Sequence, residues 1–386
     1  MSAAVSRFPS ALASGQRRGG KEASSSRKRE WAPRVWEGLD CFAWLRLLAV
    51  NRFAVSPSHW YIAGIISISS VMNFTLRCLL NGWLGPQVRH TPVRAPLFVI
   101  GHWRTGTTLL HELLIRDPQF GFPDMQDCFN PHHALLTHHF FKRYCRWMLP
   151  EKRPMDNMLF GWERPQEDEF ALALMGLPST YTDFAFPQQP HRDGVLDLSG
   201  LQPHERRRWK RLFLRFLQEV TVRTGKRLVL KSPPHTARIP LLLELFPEAQ
   251  FLHIVRDPRV VFPSTVNLWK SLARHHGLQK PRWPNLEEKV FREFRVIYER
   301  LDEARPLLKP HQFHEIRYEN LIANPMAELE QAYEKLALPG FDQARPHMEA
   351  YWQQNAGYET NKYHLSPEQE AEIIRRWGDI MQRYGY

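Results

Sequence analysis

Cysteine is scarce in this chain: Cys41, Cys78, Cys128 and Cys145 are the only four among 386 residues, with neither a CxxC pair nor a regular spacing. That pattern excludes a zinc ribbon and a disulfide-framed module, and it fits a reducing compartment. Residues 1–30 lack the apolar run of a secretory signal. They hold seven basic and two acidic residues, and so read as a disordered basic tail that carries part of the net charge of +12. The uncharged run WYIAGIISISSVMNF, Trp60 to Phe74, is 15 residues long. It is shorter than the roughly 20 residues that span a bilayer, and Arg77 follows soon after. No internal repeat is visible. The histidine-rich NPHHALLTHHF, with His132, His133, His138 and His139, lacks the spacing of a standard ligand pair, so no metal site is expected.

What is present divides the remainder in two. Residues 31–90 are rich in Trp, Leu and Phe, with Arg34, Arg46 and Arg52 among them. They read as an N-terminal helical segment, either docked on the rest of the protein or attached to a membrane surface. Residues 91–386 change to short β-rich runs separated by helical ones. LFVI (Leu97 to Ile100), RLVLK (Arg227 to Lys231), FLHIVR (Phe251 to Arg256) and QFHEIRY (Gln312 to Tyr318) are the strand candidates. The helical LLLELF, Leu241 to Phe246, precedes the third. Near the end, Ser366, Pro367 and Gln369 form a capping-box helix start. Short apolar strands alternating with helices predict an α/β fold: a three-layer, parallel β-sheet flanked by helices, with ligands at the carboxyl ends of the strands. A hydrophobic fraction of 43% allows a sizeable core.

The first strand leads into GHWRTGTT and then an amphipathic helix with Leu109, Leu110, Leu113 and Leu114 on one face. Backbone N–H groups and the positive helix start make such a turn an anion site. Gly101 and Gly106 keep the spacing of a nucleotide phosphate loop, but Thr107 stands where the lysine would be. The cation is Arg104, inside the loop, beside the hydroxyls of Thr105, Thr107 and Thr108. This suits a smaller anionic group handled without metal better than a triphosphate carrying Mg²⁺.

RTGTT resembles the 5'-phosphosulfate loop of the sulfotransferases that use 3'-phosphoadenosine-5'-phosphosulfate (PAPS). In that family an arginine at a strand end and a serine eight residues later grip the 3'-phosphate; IVRDPRVVFPS supplies Arg256 and Ser264. IRYENLIANP is similar to a segment whose tyrosine lies near the adenine, which implies that role for Tyr318. TGTTLLHELL, PQEDEFAL and LKSPPH look like the bacterial-type branch, which includes enzymes of lipid-like and polyketide alcohols. The resemblance implies a P-loop-like fold over residues 91–386, with PAPS as co-substrate and 3',5'-ADP as product. The family's C-terminal phosphate loop is not evident; Lys362, or Arg375 and Arg376, are the candidate substitutes.

Sulfuryl transfer needs a held donor, an acceptor oxygen that loses its proton, and positive charge at the departing phosphate. Arg104, Gly106, Thr105, Thr107 and Thr108 are assigned to the donor, and Lys231 resembles the lysine that touches the transferred group. Two candidates compete for general base. His235 lies four residues after Lys231. Glu167, in RPQEDEFALAL, is read on the apolar face of a helix entered at Pro165, with Glu169 behind it and Asp168 as an ordinary first-turn acid. The aromatic region from Phe120 to about Phe186 is expected to line or lid the acceptor pocket.

The reading is therefore a PAPS-dependent sulfotransferase acting on a hydroxyl of a small or lipid-like acceptor, cytoplasmic, with peripheral attachment to a membrane as the open alternative to a docked N-terminal segment. A nucleotide kinase is disfavoured by Thr107 and by Arg256, which occupies the place of a Mg²⁺-binding aspartate. A non-catalytic nucleotide-binding or membrane-scaffolding protein stays open. Nucleic acid is not expected as a partner, since the arginines of PHERRRWKR, Pro203 to Arg211, read as a solvated helix face.

Overall fold

The four expected strands form in a computed structural model of the protein, which describes residues 34–148, 161–189, 192–355 and 363–386. They are β1 (Leu97–Ile100), β3 (Arg227–Lys231), β4 (Gln250–Val255) and β5 (Phe313–Arg317). A fifth, β2 (Phe120–Gly121), is only two residues long and has no periodicity to read. All neighbours are parallel, in the order β2-β3-β1-β4-β5. Leu97 of β1 pairs with Val229 on one side and Gln250 on the other. The chain thus leaves β1 in both directions, and the turn after β1 lies where a parallel sheet opens a crevice for a ligand. The proposed basic tail and Lys362 lie outside the described residues.

Strand alternation builds the three layers. Phe98, Ile100, Leu228, Leu230 and Phe251 belong to one buried cluster, and their chain neighbours Leu97, Val99, Val229, Leu252 and Ile254 to another. Successive side chains point to opposite faces, so a strand apolar at every position requires cover on both sides. One face is covered by the helix Thr107–Leu114, through Leu110, Leu113 and Leu114, and by the helix Pro325–Lys335, through Leu329 and Tyr333. The other receives Trp209, Phe213 and Leu217 of the helix Pro203–Thr224, and Phe294 and Ile297 of the helix Leu286–Ala304. The helix Pro367–Tyr384 starts as its capping box predicts, with Ser366 Oγ accepting from Gln369 N–H at 3.2 Å.

The N-terminal segment contributes the helices Cys41–Val50 and Trp60–Trp83. Asp40 caps the first, accepting from Ala43 N–H at 2.8 Å. The second extends beyond the uncharged run Trp60 to Phe74: it is 24 residues long. The helix continues past Arg77, whose side chain turns inward to pair with Asp40. By length and composition the helix could cross a membrane. The segment is seated on the rest of the chain: Trp36 Nε1 donates to the His276 carbonyl at 2.7 Å and Val35 N–H donates to His276 Nδ1 at 3.3 Å.

Candidate active site

The turn between β1 and the helix Thr107–Leu114 is shaped by two glycines with no room for a side chain. A Cβ on Gly101 would lie 2.5 Å from the Ile254 carbonyl oxygen; on Gly106, at φ 103°, it would lie 2.4 Å from Cδ2 of Tyr318. Glycine keeps the loop backbone bare and lets a neighbour approach closely. Thr236, fully buried, braces the entry of the loop by accepting from Gly101 N–H at 2.8 Å and donating to its carbonyl at 3.1 Å. Nothing in the periodicity of LKSPPHT marked that role.

Arg104 takes a left-handed conformation, φ 70°, which a non-glycine residue holds only when its surroundings fix it. They do: its Nε donates to Ser264 Oγ at 2.9 Å and its carbonyl accepts from Arg256 at 3.2 Å. The Arg256 guanidinium stands 4.0 Å from the centre of the Tyr318 ring, which also abuts Gly106. Arg256 follows the last residue of β4, Ser264 lies in the helix Pro258–His276, and Tyr318 opens the helix Tyr318–Ala323 directly after β5. Arg104, Gly106, Arg256, Ser264 and Tyr318 therefore meet, although more than 200 residues of chain separate the first from the last.

Beside them, Lys231 ends β3 with 2% of its surface exposed. Its Nζ lies 2.6 Å from Glu167 Oε1 and 3.4 Å from Thr108 Oγ1. Oε2 of Glu167 accepts from the Tyr181 hydroxyl, which itself accepts from Trp103 Nε1 at 2.9 Å. Burial first, and the adjacent Glu167 charge second, push the Tyr181 phenol well above its ordinary range, so it remains a donor. A cation, a carboxylate and a hydroxyl thus converge at the carboxyl end of the sheet, with Glu167 partly open to solvent at 15% exposure.

Several expectations change. Glu167 is not on the apolar face of a helix. Pro165 lies in an isolated bridge with Asp124, and the helix begins only at Asp168, leaving Glu167 as the extended residue before it. That conformation aims the carboxylate at Lys231. His235 is completely buried; its Nε2 lies 2.5 Å from Asp168 Oδ2, and its ring packs between Phe98 and Phe213. It presents no surface to an acceptor. Asp168 is correspondingly more than a first-turn acid: burial alone would push its carboxyl up, but His235 and the Ser232 hydroxyl hold it below the usual range. Glu169 is equally enclosed, in a two-pronged pair with Arg238 at 2.6 and 3.1 Å. Thr105 turns its hydroxyl onto the His102 carbonyl at 2.8 Å, so its side chain holds the loop rather than a ligand. Arg375 and Arg376 are engaged by Glu372, and Arg376 also by Glu288.

Three of the four histidines of residues 132–139 have separate polar partners. His132 Nε2 is 3.1 Å from the Leu174 carbonyl, His133 Nε2 is 3.1 Å from Asn73 Oδ1, and His138 pairs with Asp124 at 2.7 Å. Among the described residues no three metal-ligating side chains cluster. A groove open to solvent runs between the helix Cys41–Val50 and the segment after Leu174. It is lined by Ala43, Leu47, Leu177, Pro178 and Thr182, the last being the residue after Tyr181.

Residues 96–343 match the model of the sulfotransferase family. The chain belongs to that family and is a sulfotransferase. It is 45% identical, over 94% of its length and 93% of theirs, to the omega-hydroxy-beta-dihydromenaquinone-9 sulfotransferase Stf3 of Mycobacterium bovis and of Mycobacterium tuberculosis. Among solved structures, sulfotransferase STF9 of Mycobacterium avium shares the fold, with a TM-score of 0.68 at 19% identity over 89% of this chain and 92% of that one. STF1 of Mycobacterium tuberculosis does so with a TM-score of 0.58 at 20% identity, over 88% and 91%.

Proposed function

We propose that this enzyme moves the sulfuryl group of PAPS to a terminal hydroxyl of a lipid-like acceptor of the hydroxylated isoprenoid-quinol class, working at the cytoplasmic surface of a membrane. The identity to relatives whose name states such an acceptor supports the substrate class. The observation that carries the chemistry is the Lys231–Glu167 pair beside Thr108, next to the Arg104, Arg256 and Ser264 cluster.

The residues suit a phosphosulfate donor. The bare backbone of Gly101 and Gly106, the helix start at Thr107 and the Arg104 guanidinium offer donors to the 5'-phosphate. Arg256 and Ser264 offer a charged fork and a hydroxyl to the 3'-phosphate, and Tyr318 an aromatic face to the adenine. Glu167 is assigned as base. It accepts the proton of the acceptor hydroxyl as the new O–S bond forms. The old S–O bond breaks, and its electron pair leaves on the 5'-phosphate of 3',5'-ADP. Lys231 and Arg104 stabilise the charge that gathers there. His235, through Asp168, sets the chain on either side of Glu167 and Lys231; it is a positioning residue.

The test is transfer from labelled PAPS to an omega-hydroxylated prenyl quinone in vesicles and, in parallel, to short primary alcohols. Labelled sulfate ester appearing with equimolar 3',5'-ADP is the expected outcome. Tight binding of 3',5'-ADP with no transfer to any alcohol or lipid extract returns the non-catalytic reading.

A further inference from the structure

The helix Trp60–Trp83 is inverted for a protein in water. A surface helix normally turns its apolar stripe to the core and its polar residues to solvent. Here the inward stripe, beside Ile62, Ile66 and Leu80, carries the polar groups. Asn73, 1% exposed, donates to the carbonyls of Glu37 at 2.7 Å and Leu39 at 2.9 Å. Arg77, the helix's only charged side chain, turns in to Asp40, and Asn81 accepts from Arg215. The outward face carries Trp60, Ile65, Ile68, Val71, Leu79 and Trp83, of which Ile68 is 76% and Trp83 77% exposed.

The outward hydroxyls need nothing from water. Ser67, Ser69 and Thr75 donate to the carbonyls of Ala63, Ile65 and Val71, at 2.8, 3.0 and 3.0 Å. Such back-bonding is how a helix satisfies hydroxyls where no solvent is present. Charge points the same way. No Asp or Glu occurs from Cys41 to His111, a stretch in which Arg46, Arg52, Arg89 and Arg94 flank the helix in sequence. Anionic headgroups complement that bias, whereas a second copy of the face would bring like charges together.

We propose that the outward face of Trp60–Trp83 docks on an anionic lipid bilayer and lies along its surface. The helix is about 36 Å long at the usual rise per residue. Its inward stripe is held by Asp40, the carbonyls of Glu37 and Leu39, and Arg215, so it rests on the membrane with one side committed to the protein rather than crossing it. This rests on the lipid-acceptor reading only for its purpose, since it brings the active site to a membrane-borne substrate.

The experiment uses the full chain without donor or acceptor, sedimented with vesicles of phosphatidylcholine and phosphatidylglycerol. The wild-type protein co-sediments; Ile68→Glu with Val71→Glu lowers vesicle binding at least about tenfold, as expected for charges placed on a lipid-facing surface. Because both positions are exposed, folding is preserved, and transfer to a short soluble alcohol is measured alongside and stays at the wild-type rate. A polarity-sensitive dye on the exposed Cys78, in a Cys41→Ser, Cys145→Ser background, shifts to the blue when vesicles are added. Equal binding by the double variant, an unshifted dye, or a soluble dimer dispersed by Ile68→Glu without vesicle binding would each overturn the proposal. Retained transfer in any of those cases leaves the proposed function standing.

Discussion

Lys231 Nζ and Glu167 Oε1 stand 2.6 Å apart, one at the end of β3 and the other just ahead of the helix Asp168–Leu174. A lysine only 2% exposed needs a counter-charge, and the carboxylate that provides it is the one assigned to take the acceptor's proton. Tyr181 holds its other oxygen, and Trp103 in turn donates to the Tyr181 hydroxyl. The same few atoms thus position the cation for the donor and the base for the acceptor.

Glu167→Gln keeps the shape and the oxygen facing Lys231 but removes the base. Turnover is expected to fall by roughly 10²–10⁴, while 3',5'-ADP binds within a few-fold of wild type. Steady-state kinetics paired with calorimetric binding separates the two effects. Turnover near the wild-type rate would remove Glu167 from the mechanism.

Arg256→Ala should weaken 3',5'-ADP far more than AMP. A hydrogen bond to a charged group contributes about 1.5–3 kcal/mol, so a loss on the order of 10- to 150-fold is expected for the bisphosphate alone. Equal losses for both nucleotides in a competition assay would show that Arg256 supports the loop, through the Arg104 carbonyl, and not the 3'-phosphate.

His235→Ala and Glu169→Ala should act on stability before chemistry. Each strips one partner from a pair with no exposed surface, leaving Asp168 or Arg238 charged and without its counter-charge. Breaking such a pair costs about 3–5 kcal/mol, visible as a lowered urea midpoint. A His235→Ala protein with an unchanged midpoint and a lost acidic limb in its pH–rate profile would reinstate His235 as the base.

Acid should loosen the seam between the N-terminal segment and the rest. Burial holds His132 and His133 down to about 4 and His276 down to about 3. These rings face Asp40, Asn73 and the Val35 N–H respectively. An unfolded histidine takes up its proton near 6.5. Below that pH the unfolded chain binds more protons than the folded one, so stability is fully present above about 6.5 and is lost as pH falls through the folded values. The slope is at most about 1.4 kcal/mol per pH unit for each histidine. Urea midpoints stepped from about pH 7.5 to about pH 5 should therefore fall, with amide exchange in the helix Cys41–Val50 rising first; flat midpoints would contradict the burial of these rings.

Local chemistry made the strands, the glycine turn and the capped final helix readable, because each depends on neighbours in the chain: four apolar residues in a row, two glycines five apart, a Ser-Pro start. The meeting of Arg104, Arg256 and Ser264 was readable for a related reason, since they sit at fixed offsets from strand ends. The two-residue β2 was not, being shorter than any period. Nor was the fate of the PQEDEF acids, three in a row whose roles diverge completely. Glu167 meets Lys231, Asp168 meets His235, and Glu169 meets Arg238. Their partners lie more than 60 residues away, and which acid faces which cation depends on whether the helix begins at Pro165 or at Asp168. The same holds for Trp60–Trp83. Its sequence determines a long apolar helix, but only tertiary packing decides that its polar stripe faces inward, because Asn73 and Arg77 find buried carbonyls and a carboxylate there and the apolar side chains do not.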